Sequence, residues 1–165
     1  MTKRDKIIIA ALSVLVLVFS VFMLTAASVH EANMQAVEDF RERTLRTFGE
    51  NTVLYEDTAS LVKSSFVYDE ICIIFNENGA FVKNDYSNVS ISNDALRQEL
   101  LSFAEKTDVD VIYYDGEQTF FKTAFSVGEE GIEANLIIRD DGEKPEYENC
   151  RKLSGDWYYT ELEIS

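Results

Sequence analysis

The chain has 165 residues, 30 of them acidic and 15 basic, giving a formal net charge of −15, with one histidine and two cysteines. That length suits one globular domain plus an anchor or tail, and the charge excludes nucleic acid and anionic lipid as partners by simple repulsion. The lone histidine, His30, lies ahead of any foldable domain, which excludes Ser–His and Cys–His catalysis and histidine-based zinc sites within it.

The N-terminus "MTKRDK" is basic, and Ile7 to Leu24 is an apolar run broken only by Ser13 and Ser20. A helix of about 20 such residues crosses the roughly 30 Å hydrocarbon layer. The run exceeds the usual h-region of about 7–15 residues in a cleaved signal peptide, although small residues (Thr25, Ala26, Ala27, Ser28) follow it as they would before a cleavage site. The reading is therefore an uncleaved signal anchor, with cleavage as its rival. Lys3, Arg4 and Lys6 place the N-terminus in the cytoplasm and the remainder outside the cell membrane. Beyond the anchor 12 basic and 29 acidic residues remain, a charge of −17.

Residues 29–67 read as a helical stem. Met34, Val37, Phe40 or Arg41, Leu45 and Phe48 recur at helical spacing, Gly49–Glu50–Asn51 is expected to break or kink the helix, and a second helix is expected from Thr52 to about Phe66. Its stripe serves either as a homodimer seam or as a face packed on its own domain.

Residues 68–165 form the candidate domain. Ile71 to Phe75 is an unbroken apolar run, the mark of a strand covered on both faces. Asn78–Gly79 supplies the backbone freedom of a tight hairpin turn, and Phe81 and Val82 open the return strand. Asn93 or Asp94 is positioned to cap a helix from Ala95 to about Lys106, with Leu96, Leu100, Phe103 and Ala104 on one face.

The stretch "DVDVIYYDGEQTFFKTAF" (108–125) reads as two strands around Asp115–Gly116. A turn of two or four residues puts Val109, Val111, Tyr113, Phe120, Lys122 and Ala124 on one face and Asp110, Ile112, Tyr114, Thr119, Phe121, Thr123 and Phe125 on the other, and a turn of odd length changes this partition. Both faces are apolar, so this hairpin is expected at the centre of an antiparallel sheet, beside Ile71–Phe75. Helices cover one face and a helix or ligand the other. Ile132, Ala134, Leu136 and Ile138 alternate with polar residues, predicting a strand wet on one side. The last strand places Tyr158, Leu162 and Ile164 on one face.

The order of anchor, stem, two strands, helix and at least three strands resembles the PAS-like single-Cache domains that bacterial receptors hold outside the membrane. "KTDVDVIYYDGEQTFFKT" and "IIFNENGAFVKN" carry the resemblance. It implies an α+β fold: a transmembrane helix and stem helix followed by a PAS/Cache-like antiparallel sheet with helices packed on it. It also implies a non-catalytic sensor-like domain for a small molecule or an envelope protein. Two departures stand out. Thr119, Phe120 and Phe121 occupy the place where the family often has an arginine, and no second membrane helix precedes Ser165 to supply a signalling route. The stem and "SGDWYYTELEI" also look like cystatin-like or NTF2-like anchored domains, which would make the chain a structural subunit of an envelope or surface complex.

No phosphate loop or dinucleotide glycine pattern occurs, and the chain is expected to be neither an enzyme nor a cofactor carrier. The carboxylate pairs Glu129–Glu130 and Asp140–Asp141 read as solvated charge. Lys122, the one cation of its strand face, is a candidate anchor for a small anionic ligand with Tyr113 beside it as hydroxyl donor. The competing reading pairs Lys122 with a nearby carboxylate. Cys72 and Cys150 could form a disulfide outside the cytoplasm, or Cys72 could simply fill core space.

Overall fold

A computed structural model describes residues 3–66, 70–83, 88–127, 130–139, 141, 143–147 and 149–163. The expected α+β architecture is what forms: a long helix, an eight-stranded antiparallel sheet and a second helix.

Helix α1 (Lys3–Ser65) runs through anchor and stem with one kink. At about 1.5 Å per residue its 63 residues reach roughly 95 Å. From Leu12 to Leu24 every large apolar side chain is exposed, and the helix is long and apolar enough to cross a membrane. It is a candidate membrane anchor. The expected break or kink at 49–51 is a kink, at Asn51 (φ −125°, ψ 20°). Asn51 Nδ2 donates to the Thr47 carbonyl at 2.9 Å and Thr52 Oγ1 to that of Phe48 at 3.0 Å. Such bonds to the carbonyl four residues back bend a helix without ending it.

Val37, Phe40, Thr44 and Phe48 before the kink, and Tyr55, Thr58, Ala59 and Val62 after it, form a buried stripe at three- and four-residue spacing. The stem packs this stripe on its own sheet. Val29, Met34 and Val53 remain as its exposed large apolar residues.

The strands are β1 (Ile71–Asn76), β2 (Gly79–Lys83), β3 (Asn88–Ser90), β4 (Val111–Tyr114), β5 (Gln118–Val127), β6 (Glu130–Arg139), β7 (Arg151–Lys152) and β8 (Trp157–Glu163), with α2 (Asp94–Thr107) between β3 and β4. Their order across the sheet is β3-β2-β1-β4-β5-β6-β8-β7. The two apolar runs are neighbours as expected, Ile73 opposite Ile112. In the first hairpin Glu77 and Asn78 form the turn and Gly79, at φ 131°, opens β2, one residue earlier than the Asn78–Gly79 reading. Asn93 caps α2 by accepting from the Leu96 N–H at 3.1 Å. Asp108, left-handed at φ 57°, closes the helix on the Ala104 carbonyl. Thr107, rather than Ala104, completes its buried face.

The hairpin turn at 115–118 has four residues: Tyr114 faces Thr119, and Val111 faces Lys122. Asp115 Oδ1 accepts the backbone N–H groups of Glu117 and Gln118, which fixes the loop. The even parity puts Ile112, Tyr114, Thr119 and Phe121 under the helices and Val111, Tyr113, Phe120 and Lys122 on the opposite, open face. Val109 departs from that partition. It is buried in the helix-side core, because the chain is still leaving the left-handed cap at Asp108 and has not entered the pleat.

The second face of the hairpin is covered in part by the connection after β6 and not by a helix. Phe120, Ile137 and Tyr158 lie in one cross-strand row and form a small second core with Tyr113 and Cys150. Pro145 is fully buried, and the Tyr147 ring meets Phe120 edge-on at 5.8 Å. The connection after β6 thus folds back over the sheet. Ile137 is buried under it and Asn135 is buried too, so β6 is not wet along that stretch as its alternation predicts. On β8, Tyr158 and Leu162 share the open face, with Tyr158 buried and Leu162 exposed. Ile164, Glu129 and Asp140 lie outside the described residues.

Candidate binding cleft

Where the covering connection ends, the open face continues into a cleft of about 730 Å³ that reaches around the outer edge of β8. The sheet register builds its floor. Val111, Lys122, Asn135 and Thr160 lie in one cross-strand row, flanked on one side by Tyr113 and Phe120 and on the other by Glu133 and Leu162.

Lys122 and Tyr113 therefore share one face and one cleft, as the parity argument requires. Lys122 is not free, however. Its Nζ lies 3.1 Å from Glu133 Oε1, and both side chains are about one-third exposed. Tyr113 packs on Phe120 with ring centroids 5.7 Å apart, and burial, with Glu70 and Asp115 nearby, raises its phenol above the ordinary range.

Asn135 is the residue that sequence reasoning missed. It is 4% exposed, its Nδ2 donates to Glu133 Oε1 at 3.4 Å, and its Oδ1 has no donor. A buried acceptor left unsatisfied costs about 1–3 kcal/mol. In the sequence it reads as one polar position of an alternating strand; its burial comes with its place between Lys122 and Thr160 in the sheet, which no local pattern announces.

The stem supplies the cleft's far wall. Arg41 donates a two-pronged bond to Glu161, Nε to Oε1 at 2.6 Å and Nη2 to Oε2 at 2.8 Å, and also contacts Glu38. The Tyr159 hydroxyl donates to Glu161 as well, and the Arg151 guanidinium lies 5.0 Å above the Tyr159 ring. Burial alone would raise the Glu161 carboxyl, but the bonds from Arg41 and Tyr159 outweigh it and hold the group below its usual range. The Glu161 bond in turn raises Arg41, and burial raises Tyr159. This network joins residues 120 positions apart, a pairing no local pattern announces.

Cys72 and Cys150 are both free thiols, and no bridge joins them. Cys72 stands on β1, while Cys150 packs on the Phe120–Ile137–Tyr158 cluster two or more strands away. Burial raises both thiols, which leaves them unactivated as nucleophiles. His30 lies on the exposed length of α1, before the folded domain. Asp141 is held by Arg139 through Nε to Oδ1 at 2.8 Å.

No family model matches the chain, and no curated protein and no solved structure matches it.

Proposed function

We propose that the protein is a single-pass, N-terminally anchored cell-membrane protein whose C-terminal domain stands outside the cytoplasm and binds a small molecule or another envelope protein without catalysis. The basic residues ahead of the apolar run support the orientation. The single observation behind the binding role is Asn135, a buried acceptor without a donor on the floor of an open cleft. A ligand that brings a donor would relieve that cost. Kinship with PAS-like single-Cache domains belongs to the same reading and rests on the order of hairpin, helix and hairpin. The binding role stands on the cleft.

A structural subunit of an envelope complex, with a cystatin- or NTF2-like domain, is the second reading. The exposed Val29, Met34 and Val53 favour it, and a homodimer through the stem would use them.

Asn135→Leu separates the two. It keeps the shape of the side chain and removes the orphaned acceptor along with a long bond to Glu133. The full chain in nanodiscs should melt at an unchanged temperature or up to about 2–4 °C higher, since about 1 kcal/mol shifts a protein of this size by that much. In a thermal-shift panel of small carboxylic acids, free amino acids and short peptides, a compound that stabilises the parent should no longer stabilise the variant. A clear loss of stability in Asn135→Leu without ligand would make the asparagine a structural residue and remove the main support for binding.

A further inference from the structure

The cations around the cleft already have partners. Arg41 is forked onto Glu161, Lys122 is paired with Glu133, and Arg151 is stacked on Tyr159. A lone small anion would have to break one of these contacts to gain its own. The open groups are on the backbone.

Leu153 N–H donates to the Trp157 carbonyl at 2.9 Å, and in the same register Arg151 faces Tyr159. In an antiparallel ladder alternate residues turn both N–H and C=O to the same side. Trp157 and Tyr159 therefore face β7, and Tyr158, Thr160 and Leu162 face β6. The alternation continues to Glu161 and Glu163, whose backbone groups point outward past the end of β7. That strand is only two residues long. Asn149, left-handed at φ 58°, turns the chain away just before it begins. Among the described residues no strand pairs with Glu161 or Glu163 on that side, and the cleft lies along this stretch.

We infer that the free length of β8 is a docking edge for an extended segment of another protein, which adds antiparallel to β8 in line with β7 and carries lysine or arginine at alternate positions. The inference rests on the cleft being a binding site and names its occupant. Sheet edges recruit strands in this way, with main-chain bonds giving affinity and alternate side chains giving specificity.

Charge selects the partner. Glu161 shares its charge with Arg41, whereas Glu163 makes no ion pair among the described residues. A second copy pairing through its own β8 would set Glu161 and Glu163 against the same carboxylates, a destabilising cross-strand arrangement. A basic strand meets Glu163 without that penalty, and sets its like charge only against Arg41 and Arg151, which already have partners. On the open face its other side chains pass over Leu162, 58% exposed, toward the partly exposed Glu133 carboxylate. Donors are wanted on both faces of the incoming strand.

The test uses the full chain in zwitterionic-lipid nanodiscs and a fluorescent heptapeptide of alternating lysine and valine. Saturable binding is expected. It should weaken by at least about tenfold for the same peptide N-methylated at alternate amides and for its glutamate counterpart. Glu163→Pro should produce a similar loss. It removes an outward N–H and no bond to β6, and proline is tolerated on edge strands, so the melting temperature should hold. Equal affinity for the N-methylated peptide, or for Glu163→Pro with the native peptide, would overturn strand addition; the first arm needs no variant to fold. Stabilisation by acetate, succinate, glycine or glutamate that disappears in Lys122→Met, with no peptide binding, would keep the cleft as a small-molecule site and overturn the peptide. Binding of no probe would overturn both readings.

Discussion

Replacing Ile112 by aspartate is expected to unfold the domain. Ile112 is 0% exposed and lies between Ile73 on one side and Phe121 on the other, all three in the helix-side core. No cation stands in that row to meet a new carboxylate. An ionised group there loses its hydration without compensation, and protonation only exchanges that cost for an unsatisfied polar group. Several kcal/mol is the expected loss, comparable with the roughly 5–15 kcal/mol that holds a whole domain. Thermal unfolding of the full chain in detergent, followed by circular dichroism, measures it. A cooperative transition within a few degrees of the parent would place the strand on the surface and contradict the sheet order.

A second large loss is expected for Tyr55→Ala. Tyr55 is 1% exposed and sits at the meeting point of both helices and the sheet. Its ring centroid lies 5.1 Å from Phe103 of α2, 5.1 Å from Phe121 of β5, 5.5 Å from Phe48 and 5.9 Å from Trp157, every pair edge-to-face. Such geometry adds about 0.5–1.5 kcal/mol per pair beyond area burial. Truncation of a large buried ring costs about 3–5 kcal/mol. Tyr55→Phe keeps all four ring contacts and loses only the hydroxyl bond with Thr107, so about 0.5–1.5 kcal/mol is expected. Burial pushes the Tyr55 phenol well up, which agrees with a neutral hydroxyl inside the core. Denaturant melts of the two variants should differ several-fold in their destabilisation. Equal effects would mean that the hydroxyl, not the ring cluster, holds α1 to the sheet.

Much of the fold was legible because local chemistry fixed it. Asn93 caps a helix for the same reason in a sequence as in a structure, and Asp115–Gly116 marks the turn, whose even length comes only from the register. The apolar runs at 71–75 and 109–113 had to be central strands, since neither had a polar face to show to water. The stem kink at 49–51 was legible in Gly49 and Asn51, which weaken a helix, and the buried stripe on both sides of them holds the two halves to one sheet. The covering of β6 was not legible, because the segment that covers it is charged and contributes Pro145 and Tyr147 as isolated side chains.

The candidate site divides in the same way. Lys122 and Tyr113 share one face because the turn between their strands is even, a condition the sequence left open. Lys122's partner, Glu133, stood one strand further on, and the reading of an internally paired lysine is the one the geometry matches. Asn135, the Arg41–Glu161 fork and the unpaired length of β8 all depend on which strand ends where. Contacts made across 11 to 120 residues carry no periodicity to read.

The domain must stand outside the cytoplasm for any of this binding to serve the cell envelope, and α1 must hold it there. A paired reporter fused after Ser165 tests this most directly, using one enzyme active only beyond the membrane and one fluorescent protein that matures only in the cytoplasm. Lys3, Arg4 and Lys6 ahead of the apolar run predict strong activity of the outer reporter in the membrane fraction and none of the cytoplasmic one. Fluorescence from the cytoplasmic fusion would contradict the orientation, and recovery of the outer fusion in the medium would show that the anchor is cleaved.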